Sequence, residues 1–371
     1  MATEPDLSAL TQAFQVTGRF DRATRTDSGH IHNTFVVMMI TPQGILRYTL
    51  QHINTRVFKD PEKLMENIER VTAFARQQIR QEGGNPDRQT LTLVPGRDGH
   101  AYHVTPEGEY WRMYAFIDGT SSYEITDNPH ILYHAARSFG NFQRLLDRLP
   151  GPRLHETIPY FHYTPRRYAA FEAAVAADQA GRVEETAAEI EWIRQRRDET
   201  SIIVDLLAQG RIPERITHND TKLNNVLIDD ATGEGLCVID LDTVMPGSSL
   251  YDFGDLVRMG AATAIEDETA LEKVGLDLTR FEWLARGYLD ATRGFLTPLE
   301  QAHLVFSARL ITLEQAMRFL TDYLNGDTYY KVSHPRHNLD RARNQIKMVT
   351  DMEDKQAAME AVLSRLERAH G

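Results

Sequence analysis

A two-lobed α/β (α+β) fold, mostly β to about residue 117 and mostly helical from 118 to 371, is what this sequence predicts. Three observations carry it. Apolar or alternating runs at Phe35 to Ile40, Ile45 to Ile53 and Tyr110 to Ile117, separated by turn residues, read as strands. Beyond Asp118-Gly119 the period becomes helical, starting with Ile131, Ala135, Phe139, Phe142 and Leu145. Within that second part, Ile216 to Asp242 stands apart as a polar cluster followed by a short apolar hairpin.

At 371 residues the chain is long enough for two lobes, each with its own core. It carries 53 acidic and 41 basic residues, a net charge of −12, which argues against a long nucleic-acid or anionic-membrane footprint. The one cysteine, Cys237, lies in an apolar strand and reads as core, so neither a disulfide framework nor a thiolate zinc site is available. The opening stretch MATEPDLSALTQAF has no basic start followed by an apolar run, and no later stretch approaches 18 uncharged apolar residues. The expectation is a cytoplasmic protein with no membrane or nucleic-acid partner.

The elements follow in order. Residues 5–14 predict a short helix and 15–24 a strand. The turn Thr26 to Thr34, rich in small and hydrogen-bonding residues, then leads into Phe35 to Ile40, the layout of a loop whose backbone N–H groups cover phosphates. In Ile45 to Ile53, Leu46, Tyr48, Leu50 and His52 share one face, and Arg47, Thr49 and Gln51 the other. Where protein kinases carry a phosphate-pairing lysine on this strand, Gln51 stands here. Asp60-Pro61 opens a helix to about Gln81 with Leu64, Ile68, Val71 and Phe74 inward; Glu69, or failing that Glu66, is the candidate carboxylate to prop the preceding strand. Backbone groups around Ala115 to Ile117, at the passage between lobes, are placed to bind adenine. Later helices are expected at 129–149, 166–178, 187–209 and 298–324, and the charged stretch Leu339 to His370 reads as an exposed helix.

The central cluster carries the chemistry. His218-x-Asp220-x-Lys222-x-x-Asn225 has the spacing of a kinase catalytic loop, and Asp240 follows fifteen residues after Asn225. Val226-Leu227-Ile228 and Leu236 to Ile239, joined by a polar turn, form a hairpin that would bring Asn225 and Asp240 together. Asp220 is then the group to take a hydroxyl proton, Lys222 neutralises the transferring phosphoryl group, and Asn225 and Asp240 hold Mg²⁺. His218 braces the loop. Asp242 is open to metal, substrate or structural roles. G-x-G-x-x-G, G-x-x-x-x-G-K-[ST] and G-x-S-x-G are all absent.

This pattern, with Ile239 to Asp242 and Tyr251 to Asp255, resembles the aminoglycoside phosphotransferase and choline kinase-like superfamily, which implies a protein-kinase-like fold and use of ATP with Mg²⁺. Gly29-His30-Ile31, Thr217 to Asn225, Asp242 to Ser248 and Met317 to Leu320 are similar to the N-acetylhexosamine 1-kinase family within it. That resemblance implies phosphorylation of the anomeric hydroxyl of N-acetylglucosamine or N-acetylgalactosamine. It places Gly29, His30 and Gln51 near the nucleotide, and Asp220, Asp240, Arg318 and Tyr329 against the sugar. The rivals are kinases of choline, homoserine or an aminoglycoside, and a nucleotide-binding pseudokinase. An Arg318–Asp322 pair at i+4 is the structural alternative for that arginine.

Overall fold

A computed structural model describes residues 5–26 and 31–370. The first part is an antiparallel sheet of five strands, β1 (Arg19–Arg25), β2 (Asn33–Thr41), β3 (Gly44–His52), β4 (His103–Val104) and β5 (Tyr110–Ala115), in the order β1-β2-β3-β5-β4. In the β3–β5 pairing Leu50 faces Met113 and Gln51 faces Arg112. The apolar face packs Val37, Met39, Tyr48, Leu50, Trp111 and Met113 with Leu10 and Phe14 from and after α1 (Leu7–Gln12). The other face meets α2 (Pro61–Gln81), whose Leu64, Ile68 and Val71 belong to the main core. Asp60 caps α2 by accepting from Lys63 N at 3.2 Å, and Pro61 starts it with the φ a first helical turn needs. The turns at 83–108 include one short helix, α3 (Pro86–Gln89), capped by Asn85.

The second part is helical: α4 (Pro129–Leu146), α5 (Thr164–Ala177), α6 (Ala187–Arg194), α7 (Ile202–Ala208), α8 (Ser249–Gly260), α9 (Leu278–Thr292), α10 (Pro298–Ala302), α11 (Leu304–Leu324), α12 (His337–Asp354) and α13 (Gln356–His370). Set among them are β6 (Thr120–Ser121), β7 (Arg215–Thr217), β8 (Val226–Asp229), β9 (Gly235–Val238) and β10 (Met245–Gly247), with β8 and β9 forming the expected hairpin. The main core runs from α2 through α4, α8 and α9, while α5, α6, α11 and α12 enclose a second one. Cys237 is buried in β9, and burial pushes its thiol pKa up.

Three expectations need correction. Residues 187–209 are two helices with a 3₁₀ segment between them, and His303 separates α10 from α11. The C-terminal stretch is no exposed helix: α12 buries Leu339, Ala342, Met348, Val349 and Met352, and α13 buries Met359, Val362, Leu363 and Leu366. Its charges flank an apolar stripe that composition hides. Among the described residues no helix is long and apolar enough to cross a membrane.

One close approach fixes the frame of the site. A Cβ on Gly254 of α8 would lie 2.5 Å from the carbonyl oxygen of Ser307 on α11. Only glycine lets these two helices touch there, and they carry the residues that surround the catalytic loop.

Candidate active site

The loop after β7 is suspended from α8 by two aspartates. Asp252 accepts the backbone N–H of His218 at 2.9 Å and of Asn219 at 2.7 Å, and also the Gln143 amide. Asp255 accepts the N–H of Thr221 at 2.9 Å, and Thr221 Oγ1 donates to the Asp252 carbonyl at 2.6 Å. These bonds account for backbone donors that would otherwise be buried unpaired. Asn219 sits at φ 66°, a left-handed conformation asparagine tolerates, with its side chain donating to the Thr243 carbonyl at 2.8 Å. His218 is fully buried; its Nε2 lies 2.8 Å from the Ile239 carbonyl and its Nδ1 accepts from Asp220 N at 3.3 Å.

Asp220 is thereby presented with its carboxylate in the cleft. Lys222 Nζ stands 2.9 Å from Asp220 Oδ1, and Asn225 Nδ2 donates to the Asp220 carbonyl at 2.8 Å. Burial works against the charge of Asp220, but Lys222 outweighs it and holds the carboxyl below its usual range. The same pairing raises Lys222.

Ile239 N donates to the Asn225 carbonyl at 2.9 Å, which closes the hairpin and sets Asp240 beside Asn225. Asp240 adopts φ 59°, a left-handed conformation uncommon for a residue with a side chain and held here by its surroundings. Enclosure by protein, then the charges of Asp242 and Asp220, push its carboxyl well above the usual range. Its side chain is exposed, and the neighbouring Asp242 and Asp220 carboxylates repel its charge. A cation beside Asp240 would relieve that repulsion, and the Asn225 amide oxygen offers a second hard ligand. Among the described residues no three His, Cys, Asp or Glu side chains converge on one point. That donor set fits Mg²⁺, which keeps waters and nucleotide phosphates in most of its coordination shell.

Asp242, beside Asp240, is taken up by an arginine of the sheet. Both its oxygens accept from Arg112, Nη1 to Oδ1 and Nη2 to Oδ2 at 2.6 Å each, with both side chains buried. Although burial opposes it, Arg112 holds the Asp242 carboxyl well below its usual range, with His32 adding to the effect. Gln51 Oε1 accepts from Arg112 Nε at 2.9 Å and Gln51 Nε2 donates to Thr34 Oγ1 at 3.1 Å.

Neither candidate carboxylate, Glu69 or Glu66, props that strand. Glu69 is exposed and Glu66 meets His155 Nε2 at 2.8 Å, because with no lysine on β3 nothing there draws a carboxylate. The inward residue is Asn67, which donates to the carbonyls of His155 at 2.8 Å and Val244 at 3.2 Å. Gly29 and His30 lie outside the described residues.

At the passage between lobes Ala115 gives its N–H to the Thr92 carbonyl at 2.9 Å, and the Ile117 carbonyl accepts from Thr120 Oγ1 at 3.0 Å.

The opposite wall is built on α11. Glu314, buried, accepts from His162 Nδ1 at 2.9 Å and Thr164 Oγ1 at 2.7 Å, while His162 Nε2 reaches the Asn219 carbonyl at 3.1 Å. One turn on, Arg318 lies over Phe161 and Tyr330, its carbon 5.8 and 5.7 Å from their ring centres, and donates to Gln315 Oε1 at 3.1 Å. The Arg318–Asp322 alternative is overturned: Asp322 accepts the N–H groups of Thr328, Tyr329 and Tyr330 and the Asn338 amide. Tyr329 is 66% exposed, edge-on to Tyr330 with centroids 4.8 Å apart. Arg167, whose pKa burial and then Arg318 lower, donates to the Phe161 carbonyl at 2.9 Å. Among the described residues neither Arg167 nor Arg318 has a carboxylate within 4.0 Å.

Sequence reasoning passed over Arg112, Asn67 and Glu314, whereas His162 and Arg167 lie in Tyr160 to Tyr168, an aromatic and basic run whose sequence suits sugar recognition or packing between the lobes. Arg112 in Tyr110 to Ala115 and Glu314 in an apolar helix were the available signals, since a lone charge inside a buried run needs a partner.

The profile of the phosphotransferase enzyme family (APH) matches residues 34–287. The chain therefore belongs to that family of small-molecule phosphotransferases. Its fold is similar to that of an aminoglycoside phosphotransferase from Alicyclobacillus acidocaldarius, at 12% identity over 99% of this chain and 98% of the other, with a TM-score of 0.62. A microcompartment-associated aminopropanol kinase gives 16%, 95%, 97% and 0.61, and the choline kinase from Cryptosporidium parvum Iowa II gives 14%, 92%, 91% and 0.54. These likenesses share the β lobe and helical lobe that the sequence predicted.

Proposed function

We propose that this chain transfers the γ-phosphoryl group of ATP to the anomeric hydroxyl of an N-acetylhexosamine, with the nucleotide held between a lobe of residues 1–117 and one of 118–371. The observation that carries the acceptor reading is the Arg167–Arg318 pair, two guanidinium groups near the catalytic loop that make no carboxylate contact within 4.0 Å among the described residues, Glu314 acting on both from farther off while it binds His162. Guanidinium donors suit the hydroxyl and acetamido oxygens of a neutral sugar. They oppose an ammonium acceptor, which disfavours choline and aminoglycosides. Tyr329 and Tyr330 supply the ring faces a pyranose packs on.

In this reading the adenine lies against the carbonyl of Ala115 and the N–H of Ile117, an acceptor for its amino group and a donor for a ring nitrogen. Asn225 and Asp240 would hold Mg²⁺, which supplies charge neutralisation at the nucleotide phosphates. Asp220 accepts the C1 hydroxyl proton as that oxygen bonds to phosphorus and the bond to ADP breaks. Lys222 keeps Asp220 ionised and offers positive charge beside it. Asp240, Arg318 and Tyr329 orient the ring. Gly29, His30 and Gln51 belong to the nucleotide side.

An ADP-release screen tests this over N-acetylhexosamines, neutral hexoses, choline, homoserine and an aminoglycoside, with the phosphorylated position located by NMR. Turnover restricted to N-acetylhexosamines with phosphate at C1 is expected. Preference for an amine, or phosphate at another hydroxyl, overturns the acceptor reading, and nucleotide binding with no turnover of any acceptor favours the pseudokinase.

A further inference from the structure

Kinases of this architecture pair a lysine on the third strand with a glutamate on the following helix, and that pair holds the phosphate end of the cleft. Here the strand position is Gln51 and α2 turns Asn67 inward, so the pair is missing. The sheet nevertheless delivers a cation to the same place. Arg112, the cross-strand neighbour of Gln51, is among the largest fully buried side chains. Its Nε is oriented by Gln51 at 2.9 Å and its two Nη groups fork onto Asp242 at 2.6 Å. At 1% exposure the guanidinium is a support for the site and touches no substrate.

The far end of this fork decides what it does. Asp242 is two residues beyond Asp240, on the same short loop. Asn67 grips that loop at the Val244 carbonyl, 3.2 Å away, and His32, stacked on Phe58 with ring centres 5.5 Å apart, brings Nε2 to 3.4 Å from Asp242 Oδ2. Three side chains of the β lobe thus converge on the loop that presents Asp240. A buried ion pair is a poor source of stability, since an apolar pair of similar volume often serves as well. A bidentate fork does supply fixed geometry in distance and in plane. Left-handed Asp240 needs that kind of restraint.

We propose that Arg112 and Asp242 are positioning residues that replace the missing lysine–glutamate pair, tying the sheet directly to the loop that carries Asp240. The proposal rests on the phosphotransfer reading. The ion pair has moved one strand across the sheet and from the helix to the loop, so that closing the lobes and placing Asp240 become one event. Gln51 then serves as the bracket of Arg112, which explains an amide where a charge is expected.

The test compares wild type with Arg112→Met, Arg112→Lys, Asp242→Asn and the double variant Gln51→Lys/Arg112→Met. Mg·ADP affinity is read by calorimetry, and kcat and both KM values by ADP release, with the folded fraction taken from circular dichroism. R112M should lower kcat about 10²-fold, as a catalytic group displaced by about an ångström does, and weaken Mg·ADP binding about tenfold, with the acceptor KM little changed. Asp242→Asn should show the same split. Lysine at position 51 should recover about tenfold of the loss, because it returns a cation within reach of Asp242. If R112M does not fold, Arg112→Lys, which keeps the charge but not the fork, carries the same comparison. R112M binding Mg·ADP and turning over as wild type does overturns the proposal alone, as does a loss that only follows the folded fraction. A wild-type chain that neither binds Mg·ADP nor turns over ATP overturns the phosphotransfer reading as well.

Discussion

Replacing Glu314 by glutamine would test how α11 is held to the catalytic loop. Glu314 is 1% exposed, and the imidazole it binds through Nδ1 at 2.9 Å bonds the Asn219 carbonyl through Nε2 at 3.1 Å. A carboxylate and a carbonyl only accept, so both ring nitrogens donate and His162 is an imidazolium. Burial opposes that charge, but Glu314 outweighs it and raises the His162 pKa above its usual value; the carboxyl of Glu314 is lowered in turn. Glutamine keeps the shape and can still accept one hydrogen bond, but leaves the cation without its counter-charge. Breaking a buried pair costs about 3–5 kcal/mol, and part is recovered when the ring loses its proton, so the loss should be about 2–4 kcal/mol. At about 2 °C per kcal/mol for a chain of this size, Tm should fall by roughly 4–8 °C.

The pH dependence identifies the cause. A raised His162 contributes stability that is complete below its unfolded pKa of about 6.5 and is lost as pH rises through the higher folded value. A lowered Glu314 contributes stability present above its unfolded pKa of about 4.3 and lost as pH falls through its folded value. The Tm difference between wild type and Glu314→Gln should therefore be largest between about pH 5 and 6.5, and shrink toward pH 9. Thermal melts of both chains at pH 6 and 9 decide it. A difference equal at both refutes a charged His162, and no difference at either refutes the clamp itself.

Asp220→Asn should cut kcat by about 10²–10⁴-fold while Mg·ADP affinity by calorimetry stays near wild type; near-native kcat would place the base elsewhere. Lys222→Met removes the charge that keeps Asp220 ionised against burial. The acid limb of kcat/KM, which in wild type lies below the usual carboxylate range, should move upward, and a limb that does not move would detach Lys222 from Asp220. Arg318→Ala should raise the acceptor KM about tenfold or more and leave the ATP KM nearly unchanged, whereas equal effects on both would remove Arg318 from the acceptor site.

What the sequence revealed was what is local in it. His218 to Asn225 lie within eight residues, and Asn225 and Asp240 are joined by a hairpin that apolar runs and a polar turn announce, so spacing alone fixes their neighbourhood. The supports of that site are not local. Arg112 and Asp242 are 130 positions apart, and His162 and Glu314 are 152 apart. For Glu69 the sequence left two readings open, a prop for the β3 side chain and a solvated surface glutamate; with Gln51 in place of a lysine a carboxylate turned inward would have been buried unpaired, and Glu69 is exposed. α2 accordingly turns a neutral amide, Asn67, toward the loop and leaves its charges outside.

Arg112 is a non-local support that the sequence does announce. Within Tyr110 to Ala115 it is the single charge on a strand of aromatic and apolar residues, so the sequence states that an arginine is buried there. Burial requires a partner that can fill several donors at once, and a carboxylate is the side chain that meets a guanidinium fork in plane. The register of β3 and β5 then places it beside Gln51, at the end of the sheet nearest the loop after β9. Of the two aspartates on that loop, the proposed function leaves one free for a cation, so the other takes the fork. Asp240, left-handed and open to the cleft, is the free one, which leaves Asp242 for Arg112.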